Sequence, residues 1–240
     1  MEYTIVGAGR IGTTLASIMS NGTVVRRGER IPAGTGPIIV CTRNDDLKAV
    51  VNHTPHHRRA DLVFVQNGML QSWLQSEELE DCTQALLYFA VSKVGEVPID
   101  GGGSVVRGKW ASEFTSLLAR GDISCTVVND QQYMAQVAEK FLWNCVFGVL
   151  CQYFDCSVGI LCQQYEQETR LLIEELQGIT ARELGIVVDP AVSNRLLEYS
   201  MSIPHYQGAV KEWSWRNGWL WKRQKSPLHR QYLGALVTVD

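Results

Sequence analysis

Apolar residues follow two different periods along this chain. In the first half they come as short, nearly uncharged runs: Tyr3 to Val6, Thr23 to Arg27, Ile38 to Cys41, Asp61 to Val65, Ala85 to Val91, Val105-Val106 and Ile123 to Val128. Runs of this length and β-rich composition predict buried strands, for the most part in a parallel sheet. Between them, Thr13 to Met19, Leu47 to Val51, Trp73 to Leu79 and Lys109 to Leu118 predict helices, and Gly101-Gly102-Gly103 a turn or bulge. From Asp130 onward the spacing becomes helical. Val137, Phe141, Leu142, Cys145, Val146 and Val149 form one apolar stripe. Gln163 to Leu184 predicts a second long helix with Gly185 as its C-cap, and Pro190 opens a third that runs to about Ser202. Pro204 breaks it, Ala209 to Trp221 predicts another, and Pro227 starts a terminal helix. The pattern predicts an α/β Rossmann-type domain over residues 1–129 and an all-α domain over residues 130–240.

The first strand runs into Gly7-Ala8-Gly9-Arg10-Ile11-Gly12, a G-x-G-x-x-G sequence placed between strand and helix. In that context Gly7 serves a tight turn, Gly9 lets a pyrophosphate approach the backbone, and Gly12 lets helix pack on strand. Phosphates would sit on free N–H groups at the positive end of the helix. The stretch Gly7 to Gly12 is therefore read as a dinucleotide-binding loop; alone, it would also serve as a structural turn.

Strand two ends Arg26-Arg27-Gly28, where a typical NAD site carries an acidic ribose partner. Arginine there suits a 2′-phosphate and favours NADP(H). The plainer alternative is a solvated basic strand end. Gly28 to Gly36 is too short for a helical crossover between neighbouring parallel strands. The usual third strand is thus expected to be missing, with the chain jumping from strand two to the far side of strand one. Thr42 and Arg43 follow at the carboxyl end of the next strand, where ligands of such sheets bind, and Asp45 or Asp46 is expected to cap the helix from Leu47.

Composition removes several classes. The 240 residues carry a net charge of −3 with 20% charged residues, so nothing in bulk draws the chain to nucleic acid or an acidic membrane. No apolar run is long enough to span a bilayer, and a strand at the very start predicts no signal peptide. Seven cysteines without a C-x-x-C pair predict reduced, mostly buried thiols in a cytoplasmic protein. Cys151, Cys156 and Cys162 lack zinc spacing, and Pro55 separates His53 from His56 and His57, so no metal site is expected.

Lys140 and Asn144 share one helix face at i,i+4. A lysine flanked by Phe141, Leu142 and Trp143 is either a partly desolvated proton donor or a snorkelling side chain. Glu212 lies among Trp213, Trp215, Trp219 and Trp221, a cluster that suits a core or a subunit interface, and Lys140 is its expected partner.

With these residues in place the chain resembles the ketopantoate reductase (2-dehydropantoate 2-reductase) family, in a divergent and shortened form. The resemblance rests on GAGRIG, Arg27-Gly28, Gln66-Asn67-Gly68, Lys140-Phe-Leu-Trp-Asn144 and Ser200 followed by Glu212-Trp-Ser-Trp-Arg-Asn217-Gly218, in family order over nearly the whole chain. It implies an N-terminal NADP domain, a helical domain, and a site in the cleft between them. It further implies NADPH-dependent reduction of a small 2-keto acid, as in pantothenate biosynthesis. Lys140 matches the general acid and Glu212 the carboxylate that orients it. Asn67 matches the asparagine at the cofactor–substrate junction, and Asn144 and Ser200 match substrate contacts. A homodimer fits the tryptophan-rich stretch.

Two positions depart from the family. Arg43 stands where a lysine is usual, and Gly148 stands where a second substrate-binding asparagine is usual. Gly148 is read as drift, as close helix packing, or as room for a larger substrate. The rival reading is a non-catalytic NADP-binding or protein-interaction scaffold.

Overall fold

The computed structural model describes residues 2–19, 21–91, 93–96, 98–223 and 226–236. The chain divides into two compact units, Met1–Tyr133 and Met134–Asp240.

The first unit is α/β. Its elements are β1 (Tyr3–Val6), α1 (Arg10–Ile18), β2 (Gly22–Val25), β3 (Ile38–Val40), α2 (Leu47–His53), β4 (Leu62–Phe64), α3 (Gln71–Ser76), β5 (Thr83–Leu86), β6 (Phe89–Ala90), β7 (Ile99–Asp100), β8 (Val105–Arg107), α4 (Ala111–Ala119) and β9 (Thr126–Val127). Seven strands form one sheet in the order β2-β1-β3-β4-β5-β8-β9, and β6 and β7 form a separate ribbon. The first five strands of that order are mutually parallel, β8 is antiparallel to β5, and β9 is parallel to β8. On one face Ile5, Ile39, Val63, Ala85 and Val106 pack against Leu15 of α1 and Phe114, Leu117 and Leu118 of α4. On the other, Phe64 meets Trp73 of α3 edge-on, with ring centroids 5.9 Å apart. Burial on both faces is why the central strands β3 and β4 read as unbroken apolar runs.

The sheet lacks the third strand, as the short loop requires. Among the described residues nothing pairs outside β2, and β3 pairs with β1 instead. Residues 26–37 make the crossing with neither helix nor strand. Arg58, which is 3% exposed, ties this bare loop down. Its guanidinium donates to the Pro32 carbonyl (3.1 Å), the Gly36 carbonyl (2.6 Å) and the Asp61 carboxylate (2.8 Å). Asp61 also accepts from Lys109 at 2.7 Å and from the Trp110 indole at 3.2 Å. Burial opposes its ionisation, yet Lys109 and Arg58 outweigh that and hold the carboxyl below its ordinary range.

The second unit is helical: α5 (Asp130–Phe154, which begins in the first unit), α6 (Val158–Gln164), α7 (Glu166–Leu184), α8 (Val192–Ser202), α9 (Asn217–Trp221) and α10 (Pro227–Gly234). The stripe from Val137 to Val149 on α5 is buried throughout. Gly185 ends α7 at φ 62°, and the Ile186 N–H closes back on the Ala181 carbonyl at 3.0 Å. Among the described residues no single helix is long and apolar enough to cross a membrane.

Two helix expectations need correction. The helix expected from Gln163 is broken at Tyr165 (φ −129°), whose ring stacks on Phe154 with centroids 3.9 Å apart. The helix expected over Ala209 to Trp221 is instead an irregular segment, a 3-10 turn at Trp213–Trp215, and α9. The cause is tertiary: the Val210 N–H donates to the Gln152 side chain of α5 at 3.0 Å, and Glu212 takes the left-handed conformation at φ 49°. Asp46, one of the two expected caps, takes the N-cap position of α2 without a side-chain capping bond, and its carboxylate pairs with Arg27.

Candidate functional site

The parallel register brings the carboxyl ends of the first four strands level: Val6 pairs with Val25 and with Val40, and Val40 pairs with Phe64. The chain leaves β1 toward β2 on one side and resumes at β3 on the other, a topological switch point. The glycine loop lies there. Gly7 has φ 106°, and a Cβ on it would stand 3.0 Å from the Cys41 backbone. A Cβ on Gly12 would stand 1.9 Å from the Gly7 carbonyl oxygen, so only glycine lets α1 start this close to the strand end. A Cβ on Gly9 would meet nothing within 4 Å. That open side faces the start of α1, which has neither a side-chain cap nor an acidic residue in its first turn. A helix start of this kind favours an anion.

Beside it is a cavity of about 520 Å³ walled by Gly7, Ala8, Gly9, Arg26, Arg27, Thr42 and Arg43, together with Asp46 just before α2 and His53 at its end. Arg27 stands 3.2 Å from the Asp46 carboxylate, with its own side chain 88% exposed. The Thr42 hydroxyl is buried and has no hydrogen-bond partner among the described residues. The walls thus offer backbone N–H groups, three arginines and an orphaned hydroxyl against two carboxylates, Asp46 and Glu29. This set fits a phosphorylated nucleotide.

Arg10 and Ile11 are not among the walls: Arg10 approaches the Val91 carbonyl at 3.4 Å, and Ile11 packs on the core. Their place in the loop puts their backbone N–H groups at the start of α1. Asn67 does not line the cavity either. Its carbonyl accepts from the buried Asn44 amide at 2.8 Å, while Gln66 joins the ends of β3 and β4 by donating to the Val40 carbonyl at 2.7 Å. Asp46 and His53 line the cavity but were not assigned to it from the sequence. Asp46 stands shortly after the end of β3, and His53 is brought there by α2.

In the second unit, Lys140, Asn144 and Gly148 follow one another at i,i+4 along α5. Lys140 is partly buried. Burial above all, and then the Arg216 charge, bring its amine down to about 7, against an opposing pull from Glu212. Glu212 pairs with Arg216 at 2.7 Å, a partner the sequence reading did not name. The Asn144 amide donates to the Lys140 carbonyl at 2.8 Å.

Ser200 requires correction. It is 0% exposed, and its hydroxyl donates to the Leu196 carbonyl (2.8 Å) while accepting from the Trp143 indole (2.9 Å), so the structure does not present it to a substrate. Gly148 also resolves. A Cβ there would stand 2.9 Å from the Ala209 carbonyl oxygen, so close packing explains the glycine and the space is filled by backbone. Of the four clustered tryptophans Trp219 is buried, while Trp213, Trp215 and Trp221 are half-buried. Trp219 meets Phe141 edge-on at 5.4 Å with Arg223 over its face at 3.7 Å, and Arg230 covers Trp221 at 4.2 Å. All seven cysteines are free, and burial pushes the Cys41 thiol beside the glycine loop up to about 12.

No protein-family model and no curated protein sequence matches the chain. Solved structures do. A dimeric ketopantoate reductase from Staphylococcus aureus superposes with a TM-score of 0.74 at 17% identity, covering 98% of this chain and 97% of that one. The fold is that of the ketopantoate reductases. A PanE/ApbA family ketopantoate reductase from Ralstonia eutropha JMP134 superposes with a TM-score of 0.74 at 15% identity, with coverage of 98% and 97%. D-mandelate dehydrogenase in complex with NADH gives 0.72 at 14% identity, again covering 98% and 97%. The ketopantoate reductase fold therefore spans both units.

Proposed function

We propose that this chain is a divergent ketopantoate reductase family member that uses NADPH to reduce a small 2-keto acid to a 2-hydroxy acid. The observation that carries the proposal is the partly buried Lys140, its amine at about 7, in a chain whose other unit has a glycine loop opening on an arginine-walled cavity. Residues 1–129 hold the cofactor: Gly7 to Gly12 take the pyrophosphate through backbone N–H groups, Thr42 and Arg43 flank it, and Arg26 and Arg27 take the 2′-phosphate. Bound there, NADPH supplies the hydride.

Residues 130–240 supply the acid and the substrate contacts. Lys140 hydrogen-bonds the substrate carbonyl oxygen and gives it a proton as negative charge builds there. A donor whose pKa lies near the working pH is well matched to that task, and such catalysis is typically worth about 10²–10⁴-fold. Glu212 keeps the lysine charged and oriented, and Asn144, one turn along, holds a polar group of the substrate. Asn67 marks the junction of cofactor and substrate. A homodimer in the cytoplasm completes the reading.

The test is direct. NADPH and a panel of 2-keto acids, ketopantoate among them, are mixed with the protein and nicotinamide absorbance is followed. In parallel, NADPH and NADH are titrated by tryptophan fluorescence, with Arg27→Ala as control. Turnover of at least one 2-keto acid, and a preference for NADPH that Arg27→Ala removes, are expected. No turnover across the panel, or equal affinity for the two cofactors, refutes the corresponding half of the proposal.

A further inference from the structure

In the second unit one carboxylate, Glu212, pairs with Arg216 and also pulls electrostatically on Lys140. Gly148 admits the Ala209 backbone against α5, and Trp219 packs edge-on against Phe141 at 5.4 Å. The segment from Ala209 to Trp219 therefore runs antiparallel along α5, and its middle, Glu212 to Arg216, passes the turn that carries Lys140 and Asn144. Glu212 bonds Arg216 at 2.7 Å, although the chain between them is not an α-helix. It reaches this geometry through its left-handed backbone at φ 49°, a conformation disfavoured for a residue with a Cβ. Arg216 is only 9% exposed, and its Nε is buried without a partner among the described residues. An arginine this buried is fixed in place, not a solvated surface charge.

Other charges near Lys140 are directed elsewhere. Glu139, the preceding residue on α5, is held by Arg195 of α8 at 2.8 Å, and Arg195 also binds Asp189 at 2.7 Å. Arg223, just beyond α9, lies on Trp219 and pairs with Glu183 at 2.9 Å. Glu212 and Arg216 are thus the charges that act on the lysine, in opposite directions.

We propose that Arg216 is a positioning residue: it competes with Lys140 for the single Glu212 carboxylate, so that the lysine amine releases its proton more readily than one with a carboxylate to itself. A Lys–Glu pair alone would hold the proton tightly. The added guanidinium both occupies the carboxylate and repels the ammonium, and both effects favour proton donation. This rests on the reading of Lys140 as the proton donor, and the test separates the two.

Protein labelled with ¹³C at lysine Cε is titrated by NMR, with the Lys140 resonance assigned by its loss in Lys140→Met. Arg216→Met should raise the Lys140 midpoint by about one pH unit or more, Arg216→Lys should leave it within a few tenths, and Glu212→Gln should lower it. The alkaline limb of kcat/KM should move by the same amounts. A midpoint that stays or falls in folded Arg216→Met overturns the proposal. If that variant does not fold, Arg216→Gln replaces it under the same criterion. A midpoint that moves as expected while the pH–rate profile does not would uphold Arg216 and refute Lys140 as the acid.

Discussion

The glycine loop of the first unit and the lysine face of the second are built by different means. In the loop each position answers to backbone close by: Gly7 to the Cys41 peptide and Gly12 to the Gly7 carbonyl, while Gly9 answers to nothing and leaves room. Its chemistry is main-chain N–H and a helix start, which any side chain at the wrong place would block. Around Lys140 the backbone is ordinary α-helix, and what matters is which charges come to lie against it. Those come from a segment far along the chain, whose own backbone departs from helix to deliver them. A site of backbone groups is fixed by local sterics; a site of titrating groups is fixed by tertiary neighbours.

The largest expected effect tests the lysine side of that contrast. Lys140→Ala should lower turnover by about 10²–10⁴-fold, while NADPH affinity by tryptophan fluorescence stays within about threefold of wild type. With Lys140 as the proposed acid the protonated amine is the working form, so wild-type kcat/KM should fall as pH rises through about 7. A rate that climbs across that range, or a variant retaining a tenth of the activity, would break the assignment.

The loop side has its own weak point in Arg58. Arg58→Ala leaves the Asp61 carboxylate short of a partner and two carbonyls bare, so urea unfolding followed by circular dichroism should show a loss of about 3 kcal/mol. A loss under about 1 kcal/mol would mean that the bare crossing of residues 26–37 is held by other contacts.

A smaller effect is expected at Gly148. Gly148→Asn should destabilise by about 1–3 kcal/mol through overpacking against Ala209, without improving reduction of ketopantoate. An improved kcat/KM would show that the space belongs to the substrate after all.

The smallest effect sharpens the cavity. Asp46 draws Arg27 to itself at the mouth, and both are solvent-exposed, so their pairing is weak. Asp46→Asn should tighten 2′,5′-ADP about two- to fivefold and leave 5′-AMP unchanged, as read by calorimetry. Equal gains for both would place Asp46 away from the 2′ position.

Much of this was legible in the order of residues. The runs at Ile38–Val40 and Leu62–Phe64 are apolar throughout and fully buried in the middle of the sheet, so these strands were plain in the sequence. The missing third strand followed from loop length alone, because Gly28 to Gly36 cannot hold a helix. The stripe on α5 and the cap at Gly185 were equally plain, since helical period and left-handed glycine are local properties.

The rest was decided by contacts that no window of sequence contains. The helical pattern over Ala209 to Trp221 lost to backbone packing on Gly148 and to the Gln152 side chain. Ser200 turned inward because the Trp143 indole and the Leu196 carbonyl take its hydroxyl. Asp46 stands at the N-cap of α2 without a side-chain capping bond, and its carboxylate meets Arg27 across the strand ends. Glu212 pairs with Arg216, although sequence reasoning had given its carboxylate to Lys140 alone. Sequence spacing determines which side chains share a face, because the helix and strand periods are fixed. It does not determine which opposite charge is nearest, because that distance is set only when segments remote in the chain pack together.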